Sequence, residues 1–249
     1  MRLKPVAMIL ALVAVAGVSL SVSIKQKQVV IEDDEVNTAI IQLLSSDEAT
    51  SQSAKARIKQ IGYKAVPTLI SVLKEILANV NYEDTSLEPS SLPSELKKLI
   101  GRASHMEQKN LKYYVVQLLG HLRSEESVSL LIKSMEPEER ASSWVSMNVE
   151  MHALVKIGSP AVPKLIEAIE TAEARMGAIK FDESVTLSTE AKQQIIDDYS
   201  FNAQARSILV LGKIGDPKAL PFLEGLLNTP HNSRLTSYIE EAISKIKER

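Results

Sequence analysis

Apolar residues in this chain fall three and four positions apart from residue 36 onward, the spacing that places them on one face of an α-helix. Val36, Ile40, Leu43 and Leu44 open the pattern directly after the acidic run 32–35. Acidic residues suit a helix N-terminus because they oppose its dipole, so that run is read as a helix start and not as a metal site. Helices are then predicted over 54–61, 65–80, 95–100, 109–122 and 125–135. Further helices are predicted from 137 through Leu154, and over 161–176, 190–213, 217–227 and 234–247. Residues 81–94, with Pro89, Pro93 and several serines, read as a loop, and 177–189 as a second. The chain is expected to be all-α.

The helix ends repeat. Leu211-Gly212-Lys213-Ile214-Gly215-Asp216-Pro217 reads as the end of one helix and the start of the next. Gly215 supplies the left-handed position that stops a helix. Asp216 is placed to cap its successor, and Pro217 stands where a missing N–H costs nothing. Leu220, Leu223 and Leu227 continue as a buried stripe. The pattern recurs at Leu154–Pro163, followed by Leu165, Ile166 and Ile169, and at Ile58–Pro67, followed by Leu69, Ile70 and Leu73. A fourth, degenerate copy at Leu119–Glu126 keeps the apolar positions, through Val128, Leu131, Ile132 and Met135, and loses the second glycine and the proline. Self-similarity of this kind is the mark of a solenoid, in which each unit buries its apolar face only against the next.

These residues resemble the HEAT family, in particular its short bacterial HEAT-like repeats, over about residues 45–249. The resemblance implies an α-solenoid of stacked antiparallel helix pairs, outer then inner, whose inner helices line a concave face. The prolines near the start of each second helix (Pro67, Pro163, Pro221) fit that pattern. The equivalent positions Gly62, Arg123, Gly158 and Gly215 are unevenly spaced, so insertions or lengthened helices are expected at about 81–105 and 172–190. Some HEAT-like enzymes hold iron with His-Glu dipeptides, and this sequence has none.

Composition narrows the partners. The formal net charge of −2, with both signs interspersed, gives no concentrated basic surface for nucleic acid. The absence of cysteine excludes disulfides, thiolate chemistry, cysteine zinc sites and a lipoprotein leader. At the N-terminus, Arg2 and Lys4 precede 20 residues without a charge, 5–24, enough to cross a bilayer once. Ala14-Val15-Ala16 also fits a signal-peptide cleavage site. Residues 1–25 are therefore read as a signal peptide or single transmembrane anchor, 26–32 as a short linker and 33–249 as the solenoid. The bulk of the chain is expected outside the cytoplasm, in the periplasm or cell envelope.

Catalytic constellations are scarce. The four histidines, His105, His121, His152 and His231, share no helical spacing. Ser71-Val72-Leu73-Lys74 and Ser94-Glu95-Leu96-Lys97 match S-x-x-K, but the companion motifs of that enzyme class are missing. Neighbouring carboxylates such as Asp197-Asp198, Glu125-Glu126 and Glu138-Glu139 point about 100° apart on a helix and do not converge. Trp144, Met147 and Met151 read as a buried stripe. No catalytic residue, metal site, cofactor or small-molecule substrate is assigned. What remains is surface: Lys74, Lys133, Lys164, Glu167 and Glu224 lie on the second helices off the apolar stripe and are the candidate groove residues. The sequence is thus read as a non-enzymatic module that binds another protein or peptide through its concave face. A HEAT-like enzyme of the lyase or glycosylase sort, or a self-associating structural protein of the envelope, are the alternatives.

Overall fold

The computed structural model describes residues 35–79, 90–135, 148–177, 186–229 and 233–249, and these contain helices and no strand. The first helix, α1, covers 35–43. Val36, Ile40 and Leu43 are buried, and Glu35 pairs with Arg57 of α2. The pairs that follow are α2 (Glu48–Ile61) with α3 (Val66–Asn79), α5 (His105–His121) with α6 (Val128–Ser134), α7 (Val149–Ile157) with α8 (Val162–Glu170), and α10 (Thr189–Ile214) with α11 (Leu220–Leu227). A last helix, α12 (Thr236–Lys247), closes the chain. Helices α4 (Ser94–Arg102) and α9 (Ala172–Gly177) sit between pairs.

The pairs stack into two rows. In the first row α2 packs on α5, α5 on α7, α7 on α10 and α10 on α12. In the second, α3 packs on α6 and α6 on α8. Each second-row helix also packs against the first helix of the following pair: α3 on α5, α6 on α7, α8 on α10, α11 on α12. The expected all-α repeat is therefore what the described residues form. Leu69, Leu73, Leu131, Leu165 and Leu223, one or two from each second-row stripe, have no solvent exposure. Each such side chain contributes about 1.5–3 kcal/mol on burial.

Local chemistry accounts for the corners. Gly158 closes α7 at φ 82° and ψ −141°, a region that side chains with a Cβ avoid. Its N–H bonds back to the Leu154 carbonyl at 3.0 Å. A short 3-10 turn follows every corner, at Gly62–Ala65, Glu125–Ser127, Ser159–Ala161 and Pro217–Ala219. The last residue of each turn, Ala65, Ser127, Ala161 or Ala219, is fully buried. All four are small residues, as full burial at a tight corner requires. Asp216 caps its turn as expected, accepting from the Lys218 N–H at 2.9 Å.

Several boundaries differ from the sequence reading. Helix α2 begins at Glu48, earlier than 54, because Asp47 accepts a hydrogen bond from the Thr50 N–H and caps it. Helix α5 begins at His105, earlier than 109, where Ser104 and Glu107 form a capping box. The helix expected over 161–176 is broken. The Thr171 hydroxyl donates to the Glu167 carbonyl at 2.7 Å, and Arg175 covers the Ala168 carbonyl at 3.0 Å. These bonds end α8 at Glu170, and α9 then packs on α10. The expected helix start at Pro137, Trp144, Met147, most of both loops, His231 and the segment 1–34 lie outside the described residues.

Candidate functional site

The second-row helices carry all five candidate residues. Lys74 on α3 and Lys133 on α6 are half-buried, while Lys164 and Glu167 on α8 and Glu224 on α11 are exposed. Because α3, α6 and α8 stack in sequence, Lys74, Lys133 and Lys164 occupy three successive rungs. Lys164 and Glu167 are brought together, 2.6 Å apart on one face of α8. Glu224 pairs instead with Lys247 of α12 at 2.7 Å. Exposed pairs of this kind contribute only about 0–1 kcal/mol to stability. They are positions where a partner's charge can compete.

The chemical motifs considered in the sequence are absorbed by structure. Ser71 is buried and shares a 2.9 Å hydrogen bond with Ser91. Ser94 donates to Glu95 at 3.0 Å, and Lys97 donates to the Ser90 carbonyl at 2.7 Å. His105, His121 and His152 are all exposed and lie apart on α5 and α7. Asp198 pairs with Arg234 at 2.8 Å, which holds its carboxyl below the usual range. Glu126 accepts from the Tyr63 hydroxyl at 3.0 Å. Among the described residues no group of three His, Cys, Asp or Glu side chains could hold a metal ion. No helix among them is long and apolar enough to cross a membrane, and the uncharged stretch 5–24 lies outside them.

One polar cluster was not foreseen. Glu150 of α7 is only 4% exposed. Its carboxylate lies 3.4 Å from the Lys112 ammonium of α5 and accepts from the Ser134 hydroxyl of α6 at 3.2 Å. Lys112 also donates to the Ser134 carbonyl at 3.3 Å, and Arg206 of α10 donates to the Met135 carbonyl. Burial pulls the Arg206 guanidinium below its ordinary value, and the Glu150 charge opposes that shift. The cations thus satisfy carbonyls at the C-terminal end of α6, where the helix dipole favours positive charge. A signal existed in the sequence: Glu150 stands four residues before Leu154, on the apolar stripe of its helix.

Two shallow depressions on the described surface bear on the site. One, of about 430 Å³, is lined by Leu44 beyond α1, by Glu95, Lys98, Leu99 and Arg102 of α4, and by Ala103 and Glu107. The other, of about 360 Å³, lies between α5 and α7 and includes Tyr113, Gln117, His152 and Lys156. Neither contains the second-row candidates.

Comparison with known proteins agrees with the repeat geometry. Residues 203–229, spanning the end of α10, the Gly215 corner and α11, match the family model described as the PBS lyase HEAT-like repeat. No curated protein and no solved structure matches the chain. The matched corner and the helix pairs stacked before it support placing this chain among the HEAT-like repeat proteins.

Proposed function

We propose that the chain is a non-enzymatic scaffold that binds another protein or peptide along its second-row helices, with its N-terminal segment exporting it or anchoring it to a membrane of the cell envelope. The observation that carries the binding reading is the stacking of α3, α6 and α8, which sets Lys74, Lys133 and Lys164 on consecutive rungs. A peptide or helix laid across these rungs meets several cations in turn. A charged row of this kind contributes mainly to association rate and to choice of partner, and apolar contact between the rungs supplies the affinity. We take this row as the concave side. The anchoring reading rests on the 20 uncharged residues of 5–24 and the basic residues before them.

The test uses the full chain in its native membrane, with a photo-crosslinking residue at Lys133 or Lys164 and, as control, at Lys156 of the first row. The expected result is a discrete adduct from positions 133 and 164 only, lost when the other two lysines of the row are changed to glutamate (Lys74→Glu with Lys164→Glu for the probe at 133, Lys74→Glu with Lys133→Glu for the probe at 164). Adducts of equal yield from Lys156, or none from the second row, refute the assignment of that row. Alkaline extraction of the same membranes addresses anchoring: a retained anchor keeps the chain in the pellet, and release shows that no span holds it.

A further inference from the structure

Three of the five large apolar side chains most exposed among the described residues are not aromatic, and all three lie at the N-terminal end of the stack. They are Ile41 at 45%, Leu99 at 39% and Met106 at 62% exposure; the other two are Tyr63 and Tyr113. The residue that follows α1, helix α4 and the start of α5 border one depression there. Leu44 and Leu99 line the same depression, Ile41 precedes Leu44 by one helical turn, and Met106 lies in the first turn of α5, the helix whose Glu107 lines it. Lys98 and Arg102 stand on its rim, both exposed. The two carboxylates present are engaged locally, Glu95 by the Ser94 hydroxyl at 3.0 Å and Glu107 by the Ser104 hydroxyl at 2.7 Å.

We propose that this end of the solenoid rests on the phospholipid headgroup layer. The inference depends on the anchor reading of 5–24 given above. Ten residues, 25–34, separate that stretch from α1. Even fully extended they reach at most about 36 Å, so an anchored chain holds this end beside the bilayer. Exposed aliphatic side chains flanked by long cationic ones suit that surface. The alkyl groups enter the headgroup–acyl boundary, and the ammonium and guanidinium groups meet phosphate. Helix α12 lies three packing steps from α5 along the first row, on the order of 25–30 Å away, and is held clear.

The chain has no cysteine, so single labels can be placed without background. The full chain, carrying a fluorophore on Met106→Cys, Leu99→Cys or Glu240→Cys, is reconstituted into phosphatidylcholine vesicles with and without phosphatidylglycerol. The vesicles also contain a lipid with a nitroxide headgroup. Loss of fluorescence at 106 and 99, with none at 240, is the expected result. In the phosphatidylglycerol vesicles that loss is expected to shrink on adding Lys98→Glu and Arg102→Glu. Vesicles that carry the chain on flotation while label 106 stays as bright as label 240 overturn the surface contact and leave the anchor standing. Equal quenching at 106 and 240 also overturns it, because the solenoid then lies flat or is unoriented. A chain that does not float with the vesicles overturns both readings.

Discussion

The α5–α7 and α10–α12 crossings share one backbone contact and are closed in different ways. In the first, a Cβ on Gly120 would come within 2.6 Å of the Ala153 Cα; in the second, a Cβ on Gly212 would come within 2.8 Å of the Ala242 Cα. Both glycines stand three residues before the corner, so the same repeat position sets the same close approach. Further along, the first crossing is filled by the buried Lys112–Glu150 pair and Arg206. The second is filled by Phe201 edge-on to Tyr238 at 5.9 Å, with the Arg234 guanidinium 3.8 Å over the Phe201 ring. The difference teaches that the repeat fixes where backbones touch and leaves the filling free. A middle layer, with helices on both sides, must satisfy the carbonyls ending α6. The last layer has no such neighbour and can close with rings.

The largest expected effect separates these two fillings. Glu150→Ala removes the carboxylate that faces Lys112 and offsets the Arg206 charge, and losing one member of a largely buried pair in this way costs up to about 3–5 kcal/mol. Phe201→Ala costs a similar amount, about 3–5 kcal/mol, by deleting a buried ring. The fillings diverge when both polar partners are replaced. Lys112→Met with Glu150→Leu should recover most of the loss, because the desolvation of two charges is removed with them. Urea unfolding of the full chain in detergent measures all four proteins. A Glu150→Ala loss below about 1 kcal/mol, in the range of a surface pair, removes the distinction drawn here.

This contrast also marks what the sequence discloses. The corners at Gly62, Gly158 and Gly215 were legible because glycine, proline and the apolar stripe act within a dozen residues, and each lies at the expected helix end. Even the degenerate copy was legible: Arg123, aligned by its apolar neighbours alone, is the non-glycine residue that takes positive φ, at 50°, among the described residues. The Lys112–Glu150–Arg206 cluster was not, since its members come from three helices and no local pattern joins them. The break at Thr171 depends on Arg175 and Ala168 folding back together, again a contact that periodicity does not report. The start of α5 was legible in principle. Ser104 and Glu107 have capping-box spacing, yet the apolar pattern begins later and set the expected boundary. Of the candidate groove residues, the sequence placed all five on second-row helices but could not show that Glu224 pairs with Lys247.

A smaller effect tests the shared contact. Gly120→Ala forces its Cβ against backbone at Ala153, so α5 and α7 must separate; the expected loss is about 1–2 kcal/mol, after overpacking outweighs the better helix propensity. Gly212→Ala, with slightly more room, should lose less. The control is Gly101→Ala in α4, where nothing lies within 4 Å. There the propensity gain of up to about 1 kcal/mol should appear unopposed. Thermal unfolding of the three variants under one condition ranks them. If Gly120→Ala stabilises as Gly101→Ala does, the close approach has no energetic weight.

The smallest expected effect concerns the corners that follow the two crossings. After α5 the left-handed residue is Arg123, and the Ser124 N–H reaches back to the Leu119 carbonyl at 3.1 Å. After α10 it is Gly215, whose own N–H bonds the Leu211 carbonyl at 3.0 Å. A residue with a Cβ in that conformation costs about 1–2 kcal/mol, part of which glycine returns through its freer unfolded chain. Arg123→Gly should therefore stabilise the first crossing by about 0.5–1 kcal/mol. Gly215→Ala should destabilise the second by a similar amount. The atoms nearest the added Cβ belong to the flexible Arg249 side chain, which also donates to the Ile214 carbonyl at 2.8 Å, so Arg249→Ala is the background that separates conformation from crowding. Opposite signs, measured by urea unfolding on the two variants, would establish that both corners use one backbone state. A destabilising Arg123→Gly would instead mean that the arginine stem covers apolar surface at this exposed corner, and that the degenerate repeat replaced conformational ease with contact.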